Sequence, residues 1–460
     1  MKNGMLKIEE IAWDPSIYPR ANAWSTALIA EYADVLDAGA EFPPIIVEKE
    51  TRRLLDGKHR LEAHKKCGRA EIPAREVTIP DGQSAKYFAA TLSATHGLRL
   101  SNRDVKTLAE EDFERDPSLD PEAWGRRLGV SRATVYNHVS HILTRERASR
   151  ETIAWRLSAL GWTQREIAER LGVDTATVNR DLLQNSNLGK MQQTLGPSWN
   201  DQGIAEAAKR MELRLTDCYA GAMAGMSDEE RFKRLGIKIQ PYDVWNFQGC
   251  HDLMGDKHPG RTPGEIVCHV LWLYTQPGAR ILDPMAGSGT TLDACLLMGR
   301  KARGYDIDLR HDRPDIEEHD LSAGWPETAG KADLVYWDPP YFDKMDDGYV
   351  EGSVSGLAPD EYLAWFGKRF SELGKTAKRG ARLAFLMSNW DAENAKRHED
   401  HPGIFVWDYA GLLAEAGWII EKCIECPLPT QQVHPDIVNK FRAARRLARL
   451  GRSLLIGKKP

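Results

Sequence analysis

The chain has 460 residues, 28% charged and 42% hydrophobic, with a formal net charge of -5. That composition belongs to a folded globular protein and excludes a disordered one, and no window approaches the roughly 18 uncharged apolar residues of a membrane span. The length asks for two to four domains, and the acidic balance excludes a uniformly basic nucleic-acid coat.

The first residues, MKNGMLKIEEIAWDP, carry acids where a signal peptide needs its apolar stretch. Residues 1–97 read as a small α/β domain: a short apolar strand at Ile45-Ile46-Val47, a second near Leu54-Leu55, and a helix Arg60–Cys67 closed by Gly68. The run Leu54-Leu-Asp-Gly-Lys-His-Arg-Leu-Glu-Ala63, followed by Gly68 and Ile72-Pro73, resembles the ParB-like/sulfiredoxin-like domain. The resemblance implies a nucleotide phosphate held by Gly57, His59, Arg60 and the helix N-terminus, or a turn that only scaffolds. Thr95-His96-Gly97 falls where that family has a second polar motif. Lys58 stands where sulfiredoxins carry their catalytic cysteine, which excludes the reductase activity.

Residues 98–187 read as all-α, with two helix–turn–helix segments in tandem. In the first, Asp120 to Val139, Gly129 makes the turn and Ser131 caps the next helix. In the second, Thr163 to Arg180, Thr163 and Glu166 form a capping box, Gly172 turns the chain and Asp174 caps. Ile167, Leu171, Val173 and Val178 supply the buried face of this second copy. Both resemble helix-turn-helix DNA-binding modules. The resemblance implies that Arg132, Tyr136, Asn137, Thr175, Thr177, Asn179 and Arg180 face the bases or phosphates of double-stranded DNA. The stretch from Trp124 to Lys190 holds 11 Lys/Arg against 6 Asp/Glu, which suits phosphate contact. Residues 188–240 have linker texture with a helix through Ile204–Leu215.

From residue 241 strand-like runs alternate with helices: Ala279–Asp283, Ala302–Asp306, Asp333–Trp337, Arg382–Met387 and Trp418–Cys423. This predicts a mostly parallel sheet covered on both faces, so the fold class is multidomain α/β. Between the first run and the helix Leu292–Met298 lies a glycine loop, Asp283-Pro-Met-Ala-Gly-Ser-Gly289, whose glycines let a ligand approach the helix N-terminus. Asp306 ends the next run, where an acid accepts hydrogen bonds from ribose hydroxyls. Downstream stand Asp320 and then Asp338-Pro-Pro-Tyr341, a proline-stiffened turn with an acid and an aromatic ring to hold an amine and a base plane.

These motifs, in this order, resemble the DNA amino-methyltransferases that act on adenine N6 or cytosine N4. The resemblance implies a Rossmann-like domain over 241–460 that binds S-adenosylmethionine. Asp283, Ala286, Gly287 and Gly289 would surround the methionine moiety, Asp306 the ribose, and Asp320 and Leu321 the adenine ring. His258 to Val267 matches the family's segment before the glycine loop. Asp338, Pro339, Pro340 and Tyr341 would hold a flipped base, adenine N6 preferred over cytosine N4, with no covalent intermediate. Cytosine-C5 enzymes need a Pro-Cys nucleophile, and Cys426-Pro427 has the reverse order. The DNA would be read by the loop Phe342–Ala358 or by the N-terminal half.

Cys423-Ile-Glu-Cys426 with His434 has no second pair and reads as structural cysteines rather than a metal site. Seven cysteines over this length make no disulfide framework, which predicts a reducing cytoplasm. Gln431 to Pro460 is a second basic island, 8 Lys/Arg against Asp436 alone. The domain order suits a phage or bacterial protein. Two other classes fit parts of the pattern: a ParB-like regulatory DNA-binding protein with an inactive methyltransferase-like domain, and an RNA methyltransferase.

Overall fold

The computed structural model describes residues 3–460 except 20–24, 97–99, 184–200, 212, 248, 258–260, 310–312, 343–352, 392–400, 429–434 and 448–449. It divides into two compact units, Met1–Ala148 and Ser149–Pro460. No helix among the described residues is long and apolar enough to cross a membrane.

The first unit opens with β1 (Asn3–Lys7), α1 (Thr26–Asp37), β2 (Ile45–Glu48), β3 (Leu54–Asp56), α2 (Lys58–Lys66) and β4 (Glu71–Val77). The strands form one sheet in the order β1-β4-β2-β3, parallel only between β2 and β4. Ile45, Val47, Leu54, Leu61, Ile72 and Ala74 make its core. The β3–α2 turn requires glycine: Gly57 has φ +101, and a Cβ there would lie 2.6 Å from Ile45 Cγ2. Next come α3 (Ala85–His96), α4 (Asn102–Arg115), α5 (Pro121–Leu128) and the start of α6 (Arg132–Ala159), the helix that runs across the division. They close over Tyr87, Phe113, Trp124, Val135 and Val139. Trp124 is pinned through its indole N–H to Asp112 (3.0 Å), and its carbonyl accepts from the Tyr87 hydroxyl (2.8 Å).

The second unit takes in the end of α6, then α7 (Gln164–Leu171), α8 (Thr175–Leu183), α9 (Asp201–Met211), α10 (Leu215–Ala222), α11 (Asp228–Arg234) and α12 (Gly264–Tyr274). After these come β5 (Arg280–Asp283), α13 (Thr290–Leu297), β6 (Lys301–Asp306), β7 (Ile316–Glu318), β8 (Leu334–Trp337) and α14 (Pro359–Thr376). The chain finishes with β9 (Arg382–Ser388), α15 (Val406–Glu415), β10 (Ile419–Glu425), α16 (Pro435–Ala444) and β11 (Arg452–Lys458). Seven strands line up as β10-β11-β9-β8-β5-β6-β7, parallel from β9 to β7, with β11 antiparallel to both its neighbours.

The pleat sorts side chains between two cores. Leu334, Tyr336, Ala384 and Leu386 join the cluster on one face, and Val335, Trp337, Leu383 and Phe385 the cluster on the other. The five strands expected from the alternation are present within two residues at either end, whereas β7 and β11 were not expected. The anticipated helix Ile204–Leu215 corresponds to α9, which ends at Met211, and Leu215 opens α10.

The stretch 98–187 is shared between the units. Its second hairpin, α7 and α8, contributes Ile167, Ala168 and Val178 to the same core as Cys295, Ile281 and Ile316 of the sheet layer. Beneath it a buried ionic cluster joins Arg156 to Asp217, Asp293 and Asp315, and Arg313 to Asp293 and Asp315.

Candidate functional site

The parallel order β8-β5-β6 brings the C-terminal ends of three adjacent strands together, and each carries one sequence-predicted acid. Asp283 ends β5, Asp306 ends β6, and Asp338 follows β8. The charges of Asp338 and Asp306 both act on Asp283. Open parallel sheets bind ligands outside this edge.

Between β5 and α13 the loop is held from several directions. Ala286 N donates to the Tyr305 carbonyl (2.8 Å), Gly287 N to Asp306 Oδ2 (2.7 Å), and Gly289 N to the Ala286 carbonyl (2.8 Å). Gly287 and Gly289 have φ +49 and +82. A Cβ on Gly289 would lie 2.3 Å from the Arg313 guanidinium carbon, whereas one on Gly287 would meet nothing within 4 Å. Gly289 therefore serves the arginine brace and Gly287 leaves open space. Arg313 supports the loop from below, donating to the carbonyls of Ser288 (3.2 Å) and Gly289 (3.4 Å).

Burial pushes the Asp283 carboxyl up to about 7, with Asp338 and Asp306 adding to it against the Thr291 hydroxyl and Met285 N–H. Burial raises Asp306 as well, opposed by the backbone N–H groups of Asp308 and Gly287. Asp320 is exposed and accepts from Ser322 N (2.8 Å). Leu321, expected beside an adenine ring, is 2% exposed and belongs to the core beneath. It offers a ligand almost no side-chain face, which leaves Asp320 as the accessible member of that pair.

At the β8 turn, Asp338 receives two hydroxyls: Thr262 on Oδ2, and Tyr341 on Oδ1 at 2.7 Å. The Pro340 carbonyl accepts from the Tyr362 hydroxyl (3.0 Å). The Pro339 carbonyl accepts nothing among the described residues. The ring of Phe342 packs edge-on against Trp390 at 4.7 Å and Tyr362 at 5.2 Å, which anchors the far side of the turn.

Sequence reading missed two contributors here and held a third, Thr262, only as part of the segment His258 to Val267, of which 258–260 are outside the described residues. Arg452 and the buried Tyr336 lie beside Asp338 and Tyr341. Arg452 was counted in the C-terminal basic island. It is 4% exposed, because it opens a strand flanked on both sides by others. Arg156 of the first island is likewise internal, in the ionic cluster, and the half-buried Arg150 pairs with the buried Asp181.

The helix-turn-helix residues divide by environment. Arg132, Tyr136 and Asn137 are exposed on the first turns of α6; Thr175, Asn179 and Arg180 are exposed on α8, where Thr177 caps back onto Asp174. At the N-terminal turn Gly57, His59 and Arg60 do come together. Arg60 is committed to protein partners, the carbonyls of Pro43 (2.7 Å) and Pro44 (3.0 Å) and the carboxylate of Asp56 (2.7 Å), which suits a scaffold. Gly97, most of Phe342–Ala358 and His434 lie outside the described residues. Cys426 is buried and Cys423 exposed, so only one of that pair is a core cysteine.

Residues 223–313 match the DNA methylase family. The span covers the glycine loop and Asp306 and stops before Asp338. A DNA adenine methyltransferase, YhdJ of Escherichia coli, is 29% identical over 85 residues, 18% of this chain and 29% of the relative. A possible regulatory protein of the streptomycin biosynthesis operon, from Streptomyces griseus, is 37% identical over 133 residues, 28% of this chain and 38% of the relative. The chain thus spans well under half the length of these curated relatives. Among solved structures, an S-adenosylmethionine-dependent methyltransferase from Mesorhizobium loti is 17% identical, covering 40% of this chain and 91% of its own with a TM-score of 0.26.

Proposed function

We propose that the chain is a DNA methyltransferase that takes its methyl group from S-adenosylmethionine and delivers it to an exocyclic base amine, adenine N6 in preference to cytosine N4. The observation that carries the reading is the convergence of Asp283, Asp306 and Asp338 on one sheet edge beside the glycine loop. The match of residues 223–313 to the DNA methylase family and the similarity to YhdJ support it.

The residues fit a ligand that is cationic at one end and rich in hydroxyls in the middle. A carboxyl held near 7 by burial, as Asp283 is, gains from a neighbouring ammonium or sulfonium. The open space over Gly287 admits close approach, and Asp306 and Asp320 supply acceptors for ribose and adenine groups. S-adenosylmethionine, when bound, supplies an electrophilic methyl. The chain's own part is to hold the amine. Asp338 and the Pro339 carbonyl accept its two N–H groups, drawing the nitrogen toward tetrahedral geometry and exposing its lone pair. Tyr341 offers a ring to stack the base. The amine is itself the nucleophile that attacks the methyl, so the chain's part in catalysis is positioning and electrostatics. DNA engagement falls to the exposed faces at Arg132, Tyr136 and Asn137 and at Thr175, Asn179 and Arg180.

The deciding experiment is incubation with double-stranded DNA and labelled cofactor, followed by nucleoside mass spectrometry. N6-methyladenine is expected, and Asp338→Ala should abolish it while cofactor affinity stays within about twofold, because Asp338 meets the amine and not the cofactor. A second reading, a DNA-binding regulator, draws on the Streptomyces relative. Specific DNA binding without any methylated nucleoside would select it.

A further inference from the structure

The connection between β10 and β11, residues 426–451, carries five Lys/Arg against Asp436 alone, in a chain whose net charge is -5. Its helix α16 buries almost nothing. Among the described side chains of α16 only Phe441 is half-buried, and none belongs to either core of the unit. A helix of ten residues is marginal in water unless it packs. Lys440, Arg442 and Arg445 are exposed, and no carboxylate pairs with them among the described residues.

The sheet decides where this arm stands. β11 is antiparallel to both β10 and β9, and β9 is parallel to β8, so the arm leaves and re-enters the sheet at the edge where β8 ends and Asp338 follows. Its base is pinned there: Cys426 N donates to the Arg452 carbonyl (2.7 Å), Leu428 N to the Leu450 carbonyl (2.8 Å), and the Ser388 hydroxyl at the end of β9 to the Gly451 carbonyl (3.1 Å). In the strand order β11 stands two places from β8, about 10 Å by ordinary strand spacing. That edge carries Asp306, Asp320 and Asp338, which repel a polyanion unless cations stand close by.

The end of α16 adds an independent sign. Arg445 N donates to the Arg442 carbonyl (3.1 Å) and Arg446 N to the Phe441 carbonyl (3.0 Å), the closure that ordinarily places a glycine in the left-handed conformation. Here the left-handed residue is Arg445, at φ +53. Glycine would close the helix with less strain, so the position keeps a cation at a cost to the backbone.

We propose that α16 and its C-terminal turn are a phosphate clamp for double-stranded DNA: Lys440, Arg442 and Arg445 engage the backbone beside the target base and hold the duplex against the acidic edge. This rests on the methyltransferase reading of the site. The clamp positions DNA and reads no sequence, since phosphate contacts carry none.

The test compares the full wild-type chain with three variants: Lys440→Gln, Arg442→Gln and Arg445→Gln together; the charge-keeping set Lys440→Arg, Arg442→Lys and Arg445→Lys; and Arg445→Gly alone. Binding to a short DNA duplex is followed by fluorescence anisotropy across a range of salt, and methyl transfer by initial rates. The neutral triple variant should bind DNA at least about tenfold more weakly at low salt, with the slope of log affinity against log salt reduced by about two to three. Its KM for DNA should rise by a similar factor while kcat changes less than about twofold, because a phosphate contact is made alike before and during transfer. Affinity for S-adenosylhomocysteine should stay within about twofold, and the charge-keeping set should restore DNA binding. Arg445→Gly should be at least as stable as wild type and still bind DNA more weakly, a combination that a structural role for Arg445 does not give. A neutral triple variant with wild-type KM and salt slope would overturn the clamp. Equal loss of affinity for structured RNA, with wild type binding that RNA as tightly as the duplex, would overturn its commitment to DNA. Wild-type protein that methylates no DNA would overturn the functional reading itself, a different result from active wild type with a neutral triple variant that behaves like it.

Discussion

Two hairpins in this chain have nearly the same local sequence and different surroundings. In both, a capped helix ends at a left-handed glycine, Gly129 at φ +68 and Gly172 at φ +63, and a second capped helix follows. The first, α5 with the start of α6, packs among Tyr87, Phe113 and Val139 within the N-terminal unit. The second, α7 with α8, stands on the sheet layer. Arg170 donates to the carbonyls of Pro314 (2.9 Å) and Ile316 (2.8 Å), and Glu166 pairs with Arg303 at 2.7 Å while Arg303 lies over Trp162. The first hairpin is part of a separate unit; the second is part of the unit that carries the candidate site. A shared motif specifies the bend of the chain and leaves open what the bend is packed against.

The sharpest way to break this comparison is at Arg156. Arg156→Leu leaves Asp217, Asp293 and Asp315 buried with one guanidinium fewer, and removing one partner of such a network costs about 3–5 kcal/mol. Denaturant unfolding followed by a probe in the second unit should show this, with the N-terminal unit's transition unmoved. A loss below about 1 kcal/mol would mean the second hairpin does not depend on the cluster.

A smaller effect concerns pH. Asp283 is raised from 3.8 to about 7 by burial, so the native state holds its proton where the unfolded chain has released it. Its contribution to stability is complete below about pH 4 and is lost as pH rises through about 7. Asp283→Asn should flatten that decline. Cofactor binding, if the ligand's cation faces Asp283, should tighten about tenfold from pH 6 to pH 8 in the wild type and stay level in Asp283→Asn. Calorimetry across that range checks both proteins.

The smallest effects compare the hairpins directly. Arg170→Ala removes bonds to the segment that carries Arg313, and should lower the stability of the second unit by about 0.5–1.5 kcal/mol. Arg126→Ala, at an exposed arginine of the first hairpin, breaks a pair with Glu122 and should cost less than about 1 kcal/mol with cofactor affinity unchanged. If Arg126→Ala weakens cofactor binding as much as Arg170→Ala, the division of roles fails.

Much of the site was legible in the chain. Glycines with positive φ, capping residues and an apolar run ending in Asp-Pro-Pro-Tyr are local features, and their neighbours in sequence are enough to produce them. Asp283, Asp306 and Asp338 could be placed together for the same reason: each ends or directly follows a strand, and parallel strands carry such positions to one edge. Asp320 and Leu321 were read as a pair, yet alternation between surface and core at the 3-10 turn Leu321–Ala323 separates them. Arg452 was illegible because its meaning depends on β11 lying between β9 and β10. From composition it was one basic residue among eight.

The sequence by itself determined where helices stop, where the loop beside the cofactor candidate turns and which acids terminate strands, because those depend on backbone freedom and hydrogen bonds within a few residues. Only the tertiary structure decided which charges are buried. Arg156, Arg313, Asp293 and Asp315 come from three separate segments; burial pushes the Asp293 and Asp315 carboxyls up, and the guanidiniums that the fold delivers hold them below their ordinary value. It decided a partner of Asp338 for the same reason: the Thr262 hydroxyl reaches its carboxylate from 76 residues away in the chain.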